Sequence, residues 1–103
     1  MTKTIMLACA GGFSTSLIVK HIQAAAAKEK LDYKVFATAA VNAEEELESE
    51  HPSVLMLGPQ VRYMLPDLKK QLDIPVQVIN MQDYGLMNGA HILHDAMKLM
   101  GDE

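Results

Sequence analysis

The chain has 103 residues, of which 50% are hydrophobic and 21% charged, with a formal net charge of −4 and a single cysteine. That length holds one core but not two of ordinary size, so one globular domain over residues 1–103 is expected. The acidic balance and the lack of a Lys/Arg stripe exclude a nucleic-acid backbone as the expected partner, the apolar runs are too short to insert in a bilayer, and one cysteine makes neither an internal disulfide nor a multi-thiolate metal site.

Lys3 to Cys9 is a β-rich apolar run that stops at Ala10-Gly11-Gly12, and it reads as a buried first strand. The short apolar stretch after Lys3 does not fit a secretory signal, so a cytoplasmic address is expected. Ser14, Thr15 and Ser16 can cap a first helix whose apolar positions Leu17, Ile18, Ile22 and Ala25 recur at helical spacing, with Lys28 and Lys30 near its end. Tyr33 to Thr38 reads as a second strand. Asn42 and Glu45 have the spacing of a capping box, opening an acidic helix toward Glu50 that Pro52 ends.

Ser53 to Leu57 is the third strand. Gly58-Pro59 then starts a helix in which Val61, Met64, Leu65, Leu68 and Leu72 share a face. Pro66 falls inside that pattern, where it removes a backbone donor and crowds the carbonyl of Arg62, so a kink or split is expected near Leu65. Pro75 to Ile79 is the fourth strand, Met81 to Asn88 a loop, and Gly89 to Met100 a last helix with Ile92, Leu93, Ala96, Met97 and Met100 inward. Apolar strands alternating with helices imply parallel pairing with helices on both faces, a small doubly wound three-layer α/β sandwich with a four-stranded sheet. In such sheets ligands bind beyond the carboxyl ends of the strands, where the strand order reverses. Cys9, Gly58-Pro59-Gln60 and the Met81 to Asn88 segment belong to that edge.

The segment from Cys9 to Ser16 puts a thiol at the end of a strand, followed by glycines and then three hydroxyls at a helix start. Successive N–H groups in a tight turn form an anion nest, and the helix N-terminus adds partial positive charge, so a phosphate or thiolate is stabilised there. The macrodipole alone contributes only about 0.3–1 kcal/mol at an exposed site, which leaves most of the binding to directed hydrogen bonds. Unpaired cysteines are commonly small buried apolar residues, and it is the glycines and hydroxyls at this spacing that favour a nucleophile loop. Cysteine phosphatases of similar architecture close such a loop with an arginine at the position held here by Thr15. Without a guanidinium to bind the phosphoryl oxygens, holding and handing on a phosphoryl group is favoured over hydrolysing an ester.

The run Cys9-Ala10-Gly11-Gly12-Phe13-Ser14-Thr15-Ser16-Leu17, the turn Leu57-Gly58-Pro59-Gln60, Tyr63-Met64-Leu65-Pro66 and Asp83-Tyr84-Gly85 together resemble the lactose/cellobiose (chitobiose) type enzyme IIB of the bacterial sugar phosphotransferase system. The resemblance spans the chain, and the strand order 2-1-3-4 is expected with it. It implies that Cys9 accepts phosphoryl from a phosphohistidine on a IIA protein and passes it to a sugar, such as a β-linked disaccharide, held by a membrane IIC protein. Ala10, Gly11, Gly12, Phe13, Ser14, Thr15 and Ser16 would then form the phosphate-binding loop, with Phe13 bulkier than expected there. The carrier would work as a monomer at the inner face of the membrane. The alternatives are a cysteine phosphatase or arsenate-reductase-like enzyme, and a non-catalytic anion-binding module.

Gln60, Asp83 and Tyr84 are candidate flanking residues, Asp83 being equally readable as a general acid or as a capping carboxylate. No cofactor and no metal site are expected. His21 is mid-helix, His51 precedes a proline, and His91 and His94 lie three apart with no carboxylate set of ligand spacing in the sequence around them, Asp95 not sufficing. The acidic run from Glu44 to Glu50 lacks the alternating oxygen pattern of a calcium loop. Most of the eight methionines have core-facing spacing, whereas Met81 and Met87 flank Tyr84 and fit a protein-docking patch.

Overall fold

The computed structural model describes residues 3–9, 13–39 and 42–101, and for residues 13–15, 43 and 44 the backbone alone. Four strands, β1 (Lys3–Cys9), β2 (Tyr33–Ala39), β3 (Val54–Leu57) and β4 (Val76–Val78), form an all-parallel sheet in the order β2-β1-β3-β4. Five helices alternate with them: α1 (Phe13–Lys28), α2 (Ala43–Glu50), α3 (Leu65–Gln71), α4 (Met81–Gly85) and α5 (Gly89–Met100), with a 3₁₀ turn at Pro59–Met64. The expected fold class and strand order are those observed.

Side-chain alternation along β1 explains the two cores. Ile5 and Leu7 face α1 and α5 and pack with Ile18, Ile22, Ile92, Leu93 and Ala96. Met6 and Ala8 face the other way, into a second cluster with Leu55, Leu57, Val61, Leu68 and Val76. A strand covered on both faces has no polar side to show, which is why β1 reads as an unbroken apolar run. The fully buried residues Ile5, Met6 and Leu7 contribute about 1.5–3 kcal/mol each by area. Helices α1 and α5 lie close, because Gly89 presents no side chain: a Cβ there would stand 2.4 Å from the carbonyl carbon of His21.

Several local expectations are corrected. The first helix begins at Phe13, so Ser14, Thr15 and Ser16 lie within its first turns rather than at its cap. Leu17, expected inward, is 47% exposed; Ile18, Val19, Ile22 and Ala26 carry the buried stripe instead. The Asn42 side chain makes no capping hydrogen bond, and α2 closes through His51, whose left-handed backbone (φ 48°) lets its N–H donate to the Leu47 carbonyl. The split near Leu65 is present: Val61 departs from helical angles and the 3₁₀ turn gives way to α3 with Pro66 in its first turn, where the missing N–H has no partner to lose. The segment expected as a loop after β4 contains α4, capped by Asn80 Oδ1, which accepts from the N–H groups of Gln82 at 2.8 Å and Asp83 at 3.3 Å.

Candidate functional site

In the order β2-β1-β3-β4 the chain leaves β1 toward β2 on one side and later returns to β3 on the other, so the crevice between the carboxyl ends of β1 and β3 is the switch point. Register puts Cys9 there. It ends β1 opposite Ala39 of β2, and Ala8 pairs with Leu57, so the next residue on the β3 side, Gly58, reaches Cys9. The Gly58 N–H donates to the Ala8 carbonyl at 2.8 Å. A Cβ at Gly58 would lie 3.3 Å from Cys9 Cβ and 3.1 Å from Gln60 Oε1, so thiol and amide flank one glycine. Cys9 is a free cysteine, only 5% exposed. Of the expected phosphate loop, Ala10, Gly11 and Gly12 lie outside the described residues, as do the side chains of Phe13, Ser14 and Thr15; Ser16 is exposed on α1.

Beside Gly58 opens a cavity of about 580 Å³. Gln60, Arg62 and Tyr63 line it from the turn after β3 and Met81, Tyr84 and Gly85 from α4, so Gln60 and Tyr84 share one groove. Tyr63 and Met81 are 74% and 65% exposed. Arg62 escaped notice in the sequence. Its signal was its place in the turn opened by Pro59, which brings a guanidinium to the sheet edge.

Asp83 takes no part in that wall. It is buried (8% exposed), and its carboxylate accepts a hydrogen bond from Nδ1 of His91 on α5. The connection between α4 and α5 makes this possible: Met87 adopts a left-handed conformation (φ 53°), the Asn88 N–H donates to the Asp83 carbonyl at 2.9 Å, and Asn88 Oδ1 caps α5 by accepting from the His91 N–H at 3.2 Å. The bond to Asp83, and then the negative charge of Asp83 and of Asp95, hold the His91 pKa above the ordinary histidine value, with Lys98 opposing. His94 is paired as well, through Nε2 to both carboxylate oxygens of Glu29 at 2.8 and 2.9 Å. The sequence around these histidines shows no carboxylate set of ligand spacing, but the fold brings a carboxylate in from α4: Asp83, His91 and Asp95 each offer a donor atom within 4.8 Å of the others. Among the described residues, no helix is long and apolar enough to cross a membrane.

The family described as "PTS system, Lactose/Cellobiose specific IIB subunit" matches residues 4–95. The chain belongs to this family. It is 45% identical to the galactose-specific EIIB component of the PTS of Lactococcus lactis subsp. cremoris (strain MG1363) over 104 aligned positions, covering 95% of this chain and 96% of the relative. Identity and coverage are the same for the cellobiose-specific EIIB component of Lactococcus lactis subsp. lactis (strain IL1403). In structure it is similar to the cellobiose-specific phosphotransferase IIB component of Borrelia burgdorferi, with a TM-score of 0.80 at 30% identity, over 99% of this chain and 94% of that one. The chain is thus a sugar-specific IIB component of a phosphotransferase system, in a family of phosphotransferase domains.

Proposed function

We propose that Cys9 is the phosphoryl carrier of this IIB component. It takes the group from a phosphohistidine on a IIA protein and gives it to a sugar, of the β-linked disaccharide class, bound by a membrane IIC protein on its cytoplasmic side. The observation that carries the reading is the position of the lone thiol at the switch point, one residue before a glycine-rich link to the start of the sixteen-residue helix α1. In the first transfer the P–N bond breaks as the S–P bond forms, and the thiol proton leaves to the imidazole or to water. In the second the S–P bond breaks as a sugar hydroxyl oxygen bonds phosphorus, releasing the thiolate, and the hydroxyl proton passes to that thiolate or to water.

Backbone amides from Ala10 to Ser16 and the hydroxyls of Ser14, Thr15 and Ser16 would cradle the phosphoryl oxygens. Transfer of this kind is mostly positioning and charge stabilisation, so a small loop fixed between a strand and a helix suffices. Gln60, beside Gly58, and Tyr84, in the same groove, flank the reacting group in this reading. A buried sulfur must be met from outside by its donor. The exposed apolar side chains Tyr63 and Met81 in the groove wall, Leu86 after α4 and Leu17 near the start of α1 offer that donor a surface to dock on.

The test is phosphorylation by a phosphorylated IIA protein, with the modified residue located by mass spectrometry. The expected result is a gain of one phosphoryl group on Cys9, absent from a folded Cys9→Ser protein. Label on a histidine, or an unmodified Cys9 in the presence of a competent donor, would overturn the proposal.

A further inference from the structure

The junction of α4 and α5 carries a donor set unrelated to phosphoryl transfer. His91 and Asp95 are one turn apart on α5, the i, i+4 spacing that sets two side chains on one helix face and that recurs in helical metal sites. The third member, Asp83, arrives from α4 by the tight Met87-Asn88 turn. It is the only charged residue buried among those described, and its carboxylate is directed at His91. The three donor atoms lie within 4.8 Å of one another.

We propose that Asp83, His91 and Asp95 bind one divalent transition-metal ion of the zinc class, clamping α4 to α5. The chemistry of the set agrees. Two carboxylates and a neutral imidazole bring two negative charges to a divalent cation, and a mixed N/O set suits zinc and its neighbours better than calcium or magnesium, which prefer all-oxygen shells. Three protein donors are the number that leaves a coordination position for water or an outside ligand. Geometry sets what must move. Donors at about 2.0–2.2 Å from a tetrahedral zinc stand about 3.3–3.6 Å apart, whereas the three found here lie within 4.8 Å of one another. Binding replaces the hydrogen bond between His91 and Asp83 by bonds to the ion, and rotation of the exposed His91 side chain and of Asp95 adjusts the donors around it. Lys98 opposes binding by its charge, and its flexible stem lets the ammonium swing outward. The consequence would fall on the groove, since Asp83 shares the five-residue helix α4 with Met81 and Tyr84.

Calorimetric titration of the untagged protein with zinc chloride tests this, in a Cys9→Ser background so that the thiol does not compete for the ion. His91→Ala and Asp95→Asn change side chains of α5 that are not buried, and a cooperative unfolding transition in chelator confirms that both fold. His94→Ala controls for the other histidine of the helix. The expected result is one zinc per chain, with affinity weakened at least tenfold by His91→Ala and by Asp95→Asn and unaltered by His94→Ala. A zinc-dependent rise in melting temperature should disappear with the first two variants. Absence of saturable one-to-one binding, or binding by His91→Ala within threefold of the parent, would overturn the proposal.

Discussion

Replacing Gly89 by alanine adds one methyl group where α5 crosses α1. The new Cβ would lie 2.4 Å from the carbonyl carbon of His21, 2.5 Å from its oxygen and 2.7 Å from the Ile22 nitrogen. All three atoms are backbone, so no rotamer change relieves the overlap. Ordinary contact begins at 3.4 Å, and the helices must therefore separate locally by about 1 Å, loosening the layer in which Ile18, Ile22, Leu93 and Ala96 interdigitate. Overpacking of this kind costs about 1–3 kcal/mol, and a rigid obstacle puts Gly89→Ala near the top of that range. Better helix propensity returns less than about 1 kcal/mol, because the residue stands at the first position of the helix. A net loss of about 2–3 kcal/mol follows, which for a domain of this size lowers the melting temperature by about 10–20 °C. Urea unfolding followed by circular dichroism measures it, with Gly85→Ala as control, since a Cβ there meets nothing within 4 Å. Gly85→Ala should leave the midpoint unchanged or raise it slightly. A Gly89→Ala protein as stable as the parent would show that α1 and α5 are not in such close contact.

Two further substitutions probe the edge that holds Cys9. Gly58→Ala places a Cβ 3.1 Å from Gln60 Oε1 and 3.3 Å from Cys9 Cβ at backbone angles any residue tolerates (φ −63°, ψ 149°); stability should change by less than about 1.5 kcal/mol, while the rate of phosphorylation by IIA, followed by intact mass against time, falls about tenfold or more. Asn80→Ala removes the acceptor for two N–H groups at the start of α4, at a cost of about 1 kcal/mol. Hydrogen exchange should then accelerate at Gln82 and Asp83 while β1 and β3 keep their protection.

Strands and long helices were legible because each repeats a signal over many residues. The unbroken apolar run of β1 requires burial on both faces, and the spacing of Ile92, Leu93, Ala96 and Met97 fixes both the existence of α5 and its inward side. Short elements repeat nothing. With only five residues, α4 has too few positions for a period to emerge, and its sole sequence mark is the Asn80 cap, which also reads as a turn residue. The acidic helix shows the reverse error: Asn42 and Glu45 have the spacing of a capping box, yet the Asn42 side chain makes no capping bond. Leu17 fails for another reason. It lies at the border of the buried stripe, and α5 covers the Ile18, Ile22 and Ala26 side of α1 more fully than its own.

The position of Cys9 and the cluster around Asp83 separate two kinds of site. A strand-end residue is placed by topology: once β1 is central and the neighbouring strands are known, the thiol must stand at the switch point, and the spacing of Cys9, Gly11 and Gly12 already describes a strand-to-helix loop. Asp83 and His91 are joined by a turn whose geometry depends on Met87 adopting φ 53°, a conformation a bulky side chain rarely favours by itself. Packing of Met87 against the α1/α5 core offsets that cost. The packing of a half-buried methionine thus helps bring the carboxylate to the imidazole, together with the Asn88 bonds to Asp83 and His91. For this reason Asn80→Ala and His91→Ala act on one helix from opposite ends. If α4 is held chiefly by its cap, the first should disturb the groove more; if it is held chiefly by Asp83 and His91, the second should, and hydrogen exchange at Tyr84 distinguishes them.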